Sequence, residues 1–182
     1  MKLTEPAQRF VLHWGEMGSA WGVNRSMAQI HALLFYHGKA LHAEEICETL
    51  GTARSNVSTC LKELQNWGLV RITHTLGDRR DYFESCHDVW ELFRIIVQER
   101  MKREFTPTIH MLRDLTQDKA FAKEGKDTQE RVKQTLEMME TLGSWAEEMM
   151  RLSPATMQKV LKMGAGIQKL VRGSGKTKEK ES

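Results

Sequence analysis

Cysteine and proline are scarce in this chain, with three residues of each among 182. Three cysteines without a C-x-x-C spacing form neither a disulfide framework nor a zinc-ligand pattern. Long apolar runs are also missing, since no stretch of about 18 apolar residues occurs that could span a membrane. No positively charged, apolar and small-residue series marks a signal peptide at the N-terminus. These absences predict a soluble protein in a reducing cytoplasm.

Sequence patterns for catalysis are lacking as well. The chain has no Gly-rich phosphate loop, no G-x-S-x-G and no paired carboxylates. Its seven histidines show no metal-ligand spacing that includes a carboxylate. We therefore predict no catalytic residue, no metal ligand and no cofactor, and we do not expect an enzyme.

Helix-forming residues and helical periodicity dominate the chain. Few prolines and many Leu, Met, Glu, Lys, Arg and Gln favour helix. The glycines at 15, 18 and 22 are expected to loosen the chain after the first helix, and Thr106-Pro107 to kink or interrupt a later one. Apolar residues recur at the helical period over 3–17, 26–36, 88–104 and 127–152, and a last helix starts at Ser153-Pro154.

The middle of the chain, residues 41–86, has a different pattern. A short helix over 43–50 is broken by Gly51, and a second helix follows over 53–67. A β-rich stretch, a Gly-Asp turn and a second short strand come next, over 69–84. This order of helix, tight turn, helix and hairpin predicts a helix-turn-helix with a β-wing.

The second of these helices has an apolar side and a polar side. Val57, Cys60, Leu61 and Leu64 form the apolar side, and Asn56 lies close to the line of Cys60. A helix with a hydrogen-bonding side can read base edges in the major groove, and arginines of a wing can enter the minor groove. The candidate DNA-binding residues are Arg54, Ser55, Asn56, Ser58, Thr59, Lys62, Arg79 and Arg80.

Positive charge is concentrated in this region. Residues 51–80 hold five basic and two acidic side chains, a net charge equal to the +3 of the whole chain. Such a patch is the electrostatic footprint of a nucleic-acid-binding surface. The alternative interpretation is a winged helix that binds other proteins without sequence-specific contact to DNA.

The central segment resembles the MarR superfamily of winged-helix transcription regulators, and more narrowly its GbsR-type branch. Arg80 matches the wing arginine of the D-x-R motif of that family, with Asp78 as its partner acid. The chain departs from the family at two helix starts, where His42 and Ala53 replace the usual Ser or Thr; Thr52 is expected to substitute for the cap at Ala53. The resemblance rests on residues 43–51, 54–58, 61–70, 77–84 and 88–91.

The resemblance implies a homodimer that regulates transcription, as a repressor or occasionally an activator, from a pseudo-palindromic operator. GbsR-type relatives are linked to choline and glycine betaine metabolism, which implies a quaternary ammonium effector held between aromatic rings. The stronger interpretation is that these tryptophans belong to a hydrophobic core, as tryptophans at helical spacing usually do. The aromatic residues that could form such a cage are Trp14, Trp21, Trp67, Trp90 and Phe93.

These inferences predict a mainly α-helical chain with four parts. Well over a hundred residues lie outside the winged helix, in helices with narrow apolar seams, and pairing of two copies is the simplest way to bury them. We predict an N-terminal dimerisation helix over 1–22, a winged helix-turn-helix DNA-binding domain over 23–87, a helical dimerisation domain over 88–172 and a disordered basic tail over 173–182.

Overall fold

A computed structural model describes the backbone of residues 1–174 and the side chains of residues 1–164. The chain divides into two compact units, Met1–Val97 and a second unit that begins at Gln98. The predicted tail over 173–182 lies, from residue 175 onward, outside the described residues. Within the described part of the chain, no helix is both long and apolar enough to cross a membrane.

The first unit is a helical domain with one small sheet. Its antiparallel sheet has the strand order β1 (Leu41–His42), β3 (Tyr82–Ser85), β2 (Val70–Thr73), with Leu41 opposite Phe83 and Val70 opposite Ser85. This arrangement confirms the predicted mainly α-helical winged helix-turn-helix. The elements in chain order are α1 (Glu5–Ala20), α2 (Arg25–His37), β1 (Leu41–His42), α3 (Ala43–Leu50), α4 (Arg54–Asn66), β2 (Val70–Thr73), β3 (Tyr82–Ser85) and α5 (Val89–Arg100).

The two glycines near the end of α1 are packing residues rather than a loose connection. A Cβ atom at Gly15 would lie 2.6 Å from Cγ of Gln29, and one at Gly18 would lie 2.6 Å from Cβ of Ala28. Because glycine has no side chain, α1 can approach α2 this closely. The expectation that these glycines loosen the chain was therefore wrong, and α1 continues to Ala20.

A buried core fixes α4 against the rest of the first unit. Ile30 and Leu34 of α2, Ile46 of α3, and Val57 and Leu61 of α4 are at most 2% exposed. Core side chains pack at the density of organic crystals, so the rotation of α4 about its axis is set by this contact. The polar side of α4 is consequently turned away from the core.

One histidine is buried in this core. His31 on α2 is 6% exposed, and its Nε2 lies 3.2 Å from Oγ of Ser85, at the end of β3. The Ser85 hydroxyl donates to the carbonyl oxygen of Cys86, so it accepts from Nε2–H of the neutral imidazole. Burial lowers the pKa of His31 to about 4.

The second unit is entirely helical over its described residues. The predicted interruption at Thr106-Pro107 is a change of helix type: the amide of Thr106 donates to the carbonyl of Met101, five residues earlier. Pro107 then falls in the first turn of the next helix, where its missing N–H is tolerated. The elements are a π-helical turn (Met101–Phe105), α6 (Thr106–Gln117), a 3₁₀ turn (Phe121–Lys123), α7 (Lys126–Arg151) and α8 (Pro154–Ser174).

The apolar side chains of α7 lie on two sides of the helix. Gly143 and Met149 are buried, and a Cβ at Gly143 would already touch Ile109 of α6. By contrast, Met138, Leu142 and Trp145 are about half exposed, at 53%, 46% and 58%. We call these three residues the α7 stripe. In α8, the side chain of Met157 is fully buried.

Candidate nucleic-acid interface

The outer side of α4 carries most of the predicted DNA-binding residues of that helix. Val57, Cys60, Leu61 and Leu64 are buried beneath it. The exposed positions bring together one cation and three hydroxyls in the N-terminal half of the helix, where a groove-reading helix contacts bases, and Lys62 follows in the C-terminal half. These exposed residues are Arg54, Ser55, Ser58, Thr59 and Lys62.

Asn56 does not lie on this outer side. Its Nδ2 donates to Oγ of Ser26 at 3.0 Å, and its Oδ1 accepts from Sγ of Cys60 at 3.5 Å. Asn56 therefore ties α4 to α2 and has its polar atoms engaged inside the domain. Cys60 is 2% exposed, and burial together with the nearby Glu63 carboxylate raises the pKa of its thiol.

The start of α4 is not capped by a side chain. Ala53 occupies the N-cap position without a side-chain hydrogen bond. The hydroxyl of Thr52 donates backward, to the carbonyl of Leu50 at 3.4 Å, so the expectation that Thr52 replaces the cap was wrong. The first amides of α4 remain available for an external acceptor such as a phosphate oxygen.

The wing holds Arg80 in a dense polar network. Its Nε donates to the Asp78 carboxylate at 3.0 Å, and its Nη2 donates to Asp78 and to the Tyr82 hydroxyl. Nη1 lies 2.9 Å from Nε2 of His42. The Tyr82 hydroxyl donates to Asp78 in turn, at 2.8 Å. The arginine side chain keeps about half of its surface exposed, at 53%.

Charge-assisted hydrogen bonds explain the pKa shifts in the wing. The Arg80 guanidinium, its backbone amide and the Tyr82 hydroxyl hold the pKa of Asp78 well below its usual range. The same carboxylate raises the pKa values of Arg80 and Tyr82. Asp78 is thus ionised and Arg80 protonated at any physiological pH.

The basic residues of this surface differ in how far their charge is balanced. Arg54 pairs with Glu44, Arg71 with Glu84 and Arg80 with Asp78. Among the described residues, no carboxylate lies within ion-pair distance of Lys62 or Arg79. Exposed pairs contribute little to stability, because water screens them, and each of the three arginines keeps more than half of its side chain exposed, so a phosphate can still reach it.

A cleft of about 430 Å³ lies between α4 and the wing. Arg54, Ser58 and Lys62 line it from the helix, and Arg79 and Arg80 line it from the wing. The fold thus brings most of the predicted residues to one concave, mainly cationic surface. Glu44 and Asp81 are the acidic residues of its lining.

Sequence reasoning did not find all residues of the wing network. Tyr82 follows Arg80 and Asp78 at the spacing i, i+2, i+4, which places side chains on one side of an extended segment, and this signal could have identified it. His42 was noticed only as an unusual cap. Its contact with Arg80 joins residues 38 positions apart, which no local pattern predicts.

The aromatic residues proposed for a cation cage are distributed over several elements of the first unit. The ring of Trp14 stacks on Phe10 with centroids 5.0 Å apart, and the rings of Trp90 and Phe93 on α5 meet edge to face at 6.3 Å. Trp67 is half-buried against the core, and Trp21 is exposed. No group of three or more His, Cys, Asp or Glu side chains in the described residues could hold a metal ion.

Comparison with known proteins agrees with the winged-helix fold described above. Residues 21–81, the helix-turn-helix and most of the wing, match the model of the MarR family. A solved structure described as a transcriptional regulator is similar over 80% of this chain and 95% of that chain, with a TM-score of 0.61 and 15% sequence identity; at this identity it supports the fold alone. No curated protein sequence matches the chain. The helix-turn-helix and most of the wing are therefore similar to the MarR family, over about a third of the chain.

Proposed function

We propose that two copies of this chain bind a pseudo-palindromic operator and repress transcription from it. In this proposal α4 enters the major groove and the wing lies over the adjacent backbone. The observation that carries it is the cleft between α4 and the wing, where cations from both elements face one side of the first unit. The residues expected to contact DNA are Arg54, Ser55, Ser58, Thr59, Lys62, Arg79 and Arg80, with Asn56 acting from inside the domain.

The unpaired cations and the paired arginines have separate roles in this proposal. Lys62 and Arg79 contribute charge that neutralises phosphates without sequence preference. Arg54 and Arg80 are pre-oriented by their carboxylates, so less side-chain entropy is lost when DNA binds. The uncapped first turn of α4 adds backbone amides for a phosphate.

The second unit supplies a surface for pairing two copies. The α7 stripe exposes three large apolar side chains at the spacing i, i+4, i+7, one side of a helix. A twofold axis at Leu142, perpendicular to α7, would set the two helices antiparallel and bring the α7 stripe of one copy against that of the other. We propose this face as part of the dimer interface, within the dimerisation segments 1–22 and 88–172.

The wing arginine provides the first test of DNA binding. Replacement Arg80→Ala is expected to weaken binding to every duplex by about tenfold, because one charge-assisted phosphate contact is lost. The slope of log affinity against log salt should become shallower by about one. Fluorescence anisotropy with labelled duplexes at several salt concentrations measures both quantities.

The matched control is Arg113→Ala, which removes another carboxylate-paired arginine, from α6 of the second unit. It should leave the salt slope unchanged. If the affinity of the wild-type chain for DNA did not change with salt concentration, phosphate contacts could not be the source of binding. In that case the alternative, a winged helix that binds proteins, predicts a co-purifying partner instead.

The GbsR-type branch and a quaternary ammonium effector such as choline stay predictions from the resemblance. The pair of the partly buried Trp90 and the exposed Phe93 is the part of the aromatic set best placed to offer a ring face to a cation. Titration of the protein–DNA complex with choline tests the effector: release of DNA by choline but not by ammonium supports it, and no response to choline contradicts it.

A further inference from the structure

His42 contacts both the helix that it begins and the wing. Its backbone amide donates to Oε2 of Glu45 at 2.9 Å, and its Nδ1 lies 3.4 Å from the Glu45 amide, which together form the capping box of α3. On the other side of the ring, Nε2 lies 2.9 Å from Nη1 of Arg80. The ring also meets the Tyr82 ring edge to face, with centroids 5.6 Å apart.

The partners of the ring determine where its proton lies. A guanidinium can only donate, so Nε2 must accept from Arg80. The proton of the neutral imidazole is then on Nδ1, which is 2.9 Å from Oε2 of Glu44. With the proton on Nδ1, the ring does not accept from the Glu45 amide, and the half of the capping box that remains is the bond from the His42 backbone amide to Oε2 of Glu45. The imidazole ring therefore bonds to Arg80 of the wing and to Glu44 rather than to the helix cap.

These contacts form a continuous polar path between the two DNA-facing elements. Arg54, the first residue of α4, donates from Nη1 to Oε1 of Glu44. Oε2 of Glu44 faces His42, and His42 accepts from Arg80. With Nε and Nη2 of Arg80 directed to Asp78 and Tyr82, four of its five N–H donors have partners. One Nη1 proton remains for a phosphate oxygen.

We propose that His42 is a positioning residue that holds the wing arginine and couples it to the first residue of α4; this inference rests on the proposed DNA-binding function. A serine or threonine would suffice to begin α3, but their short side chains cannot reach the guanidinium. The ring at this position fixes the side of Arg80 that faces away from Asp78. DNA contact at the wing and at Arg54 then involves one shared network.

A double-mutant cycle separates this role from helix capping. His42→Ser keeps a good N-cap, so the midpoint of thermal unfolding should not change. Its affinity for duplex DNA should fall about fivefold in the wild-type background and less than about twofold in the Arg80→Ala background, the non-additivity expected for residues that share a network. His42→Thr, which can also cap α3, should give the same result.

Hydrogen exchange of the free protein supplies a second readout that does not need DNA. Loss of the Arg80 contact should speed amide exchange in residues 78–82 of the His42→Ser chain and leave α2 unchanged. Equal losses of DNA affinity in both backgrounds, or unchanged exchange in the wing, would overturn the inference. If wild-type protein bound no duplex at all, the proposed function would fail, and the exchange result alone would decide whether His42 holds the wing.

Discussion

Replacement Leu142→Asp is expected to convert the proposed dimer into monomers and to lower affinity for the full operator of that proposal by at least about 100-fold. Leu142 is the centre of the α7 stripe, between Met138 and Trp145, and is 46% exposed in the single chain. Pairing of two copies across this stripe would bury the aspartate near its symmetry mate, and an unpaired buried charge is costly. The loss of affinity follows because a monomer engages one half-site at a time. Sedimentation measures the assembly state, and anisotropy measures the affinity.

The control for this substitution is Lys133→Asp, which places the same side chain on the opposite side of α7, where the residue is exposed. That variant should remain dimeric. Affinity of the Leu142→Asp chain for an isolated half-site should equal that of the wild type, since the first unit is untouched. A Leu142→Asp chain that sediments as a dimer would show that the interface lies elsewhere.

Acid is expected to destabilise the chain by about 3 kcal/mol through His31 alone between pH 6.5 and pH 4. The unfolded chain binds a proton on this histidine below its ordinary pKa of 6.5, whereas the folded chain binds it only below about 4. The unfolded state therefore holds more protons between these values, so the free energy of unfolding falls as pH decreases through this window. The full contribution is present above pH 6.5, and no further loss from this group occurs below pH 4.

His31→Gln isolates this contribution. A glutamine amide can still donate to Oγ of Ser85 but does not titrate in this range. Urea unfolding at a series of pH values should show a steeper loss of stability for the wild type than for the variant. Parallel curves for the two chains would mean that His31 is accessible to protons in the folded state.

Much of the fold could be predicted because the signals are local. The helical period, Gly51 and the Gly-Asp turn predicted the helix-turn-helix and its hairpin, and Asp88 and Ser153 cap their helices as their residue types suggest. β1 was missed because two residues carry no periodicity. The π-helical turn was expected only as an unspecified kink, since Pro107 indicates a disturbance but not how the preceding amides re-pair.

The candidate site was harder to predict because its contacts are distant in sequence. Exposure of Arg54 and Lys62 follows from the apolar period of α4. Asn56 lies at the edge of that period, and only the neighbouring Ser26 on α2 decides that it turns inward. Similarly, Leu142 and Gly143 are adjacent, and which of them packs depends on the approach of α6. Periodicity identifies the sides of a helix, whereas tertiary contacts decide which side is covered.

Selection of bound sequences from a random duplex library tests most directly whether two copies of this chain recognise a pseudo-palindromic operator. We expect enrichment of a site with two inverted half-sites whose centres are about one helical turn apart, because the proposed twofold dimer would present two copies of α4 to successive major grooves. Lys62→Ala should enrich the same sequence with lower affinity, since it loses only a phosphate contact. If the recovered sequences were still random, at protein concentrations that bind DNA, sequence-specific recognition of an operator would be contradicted.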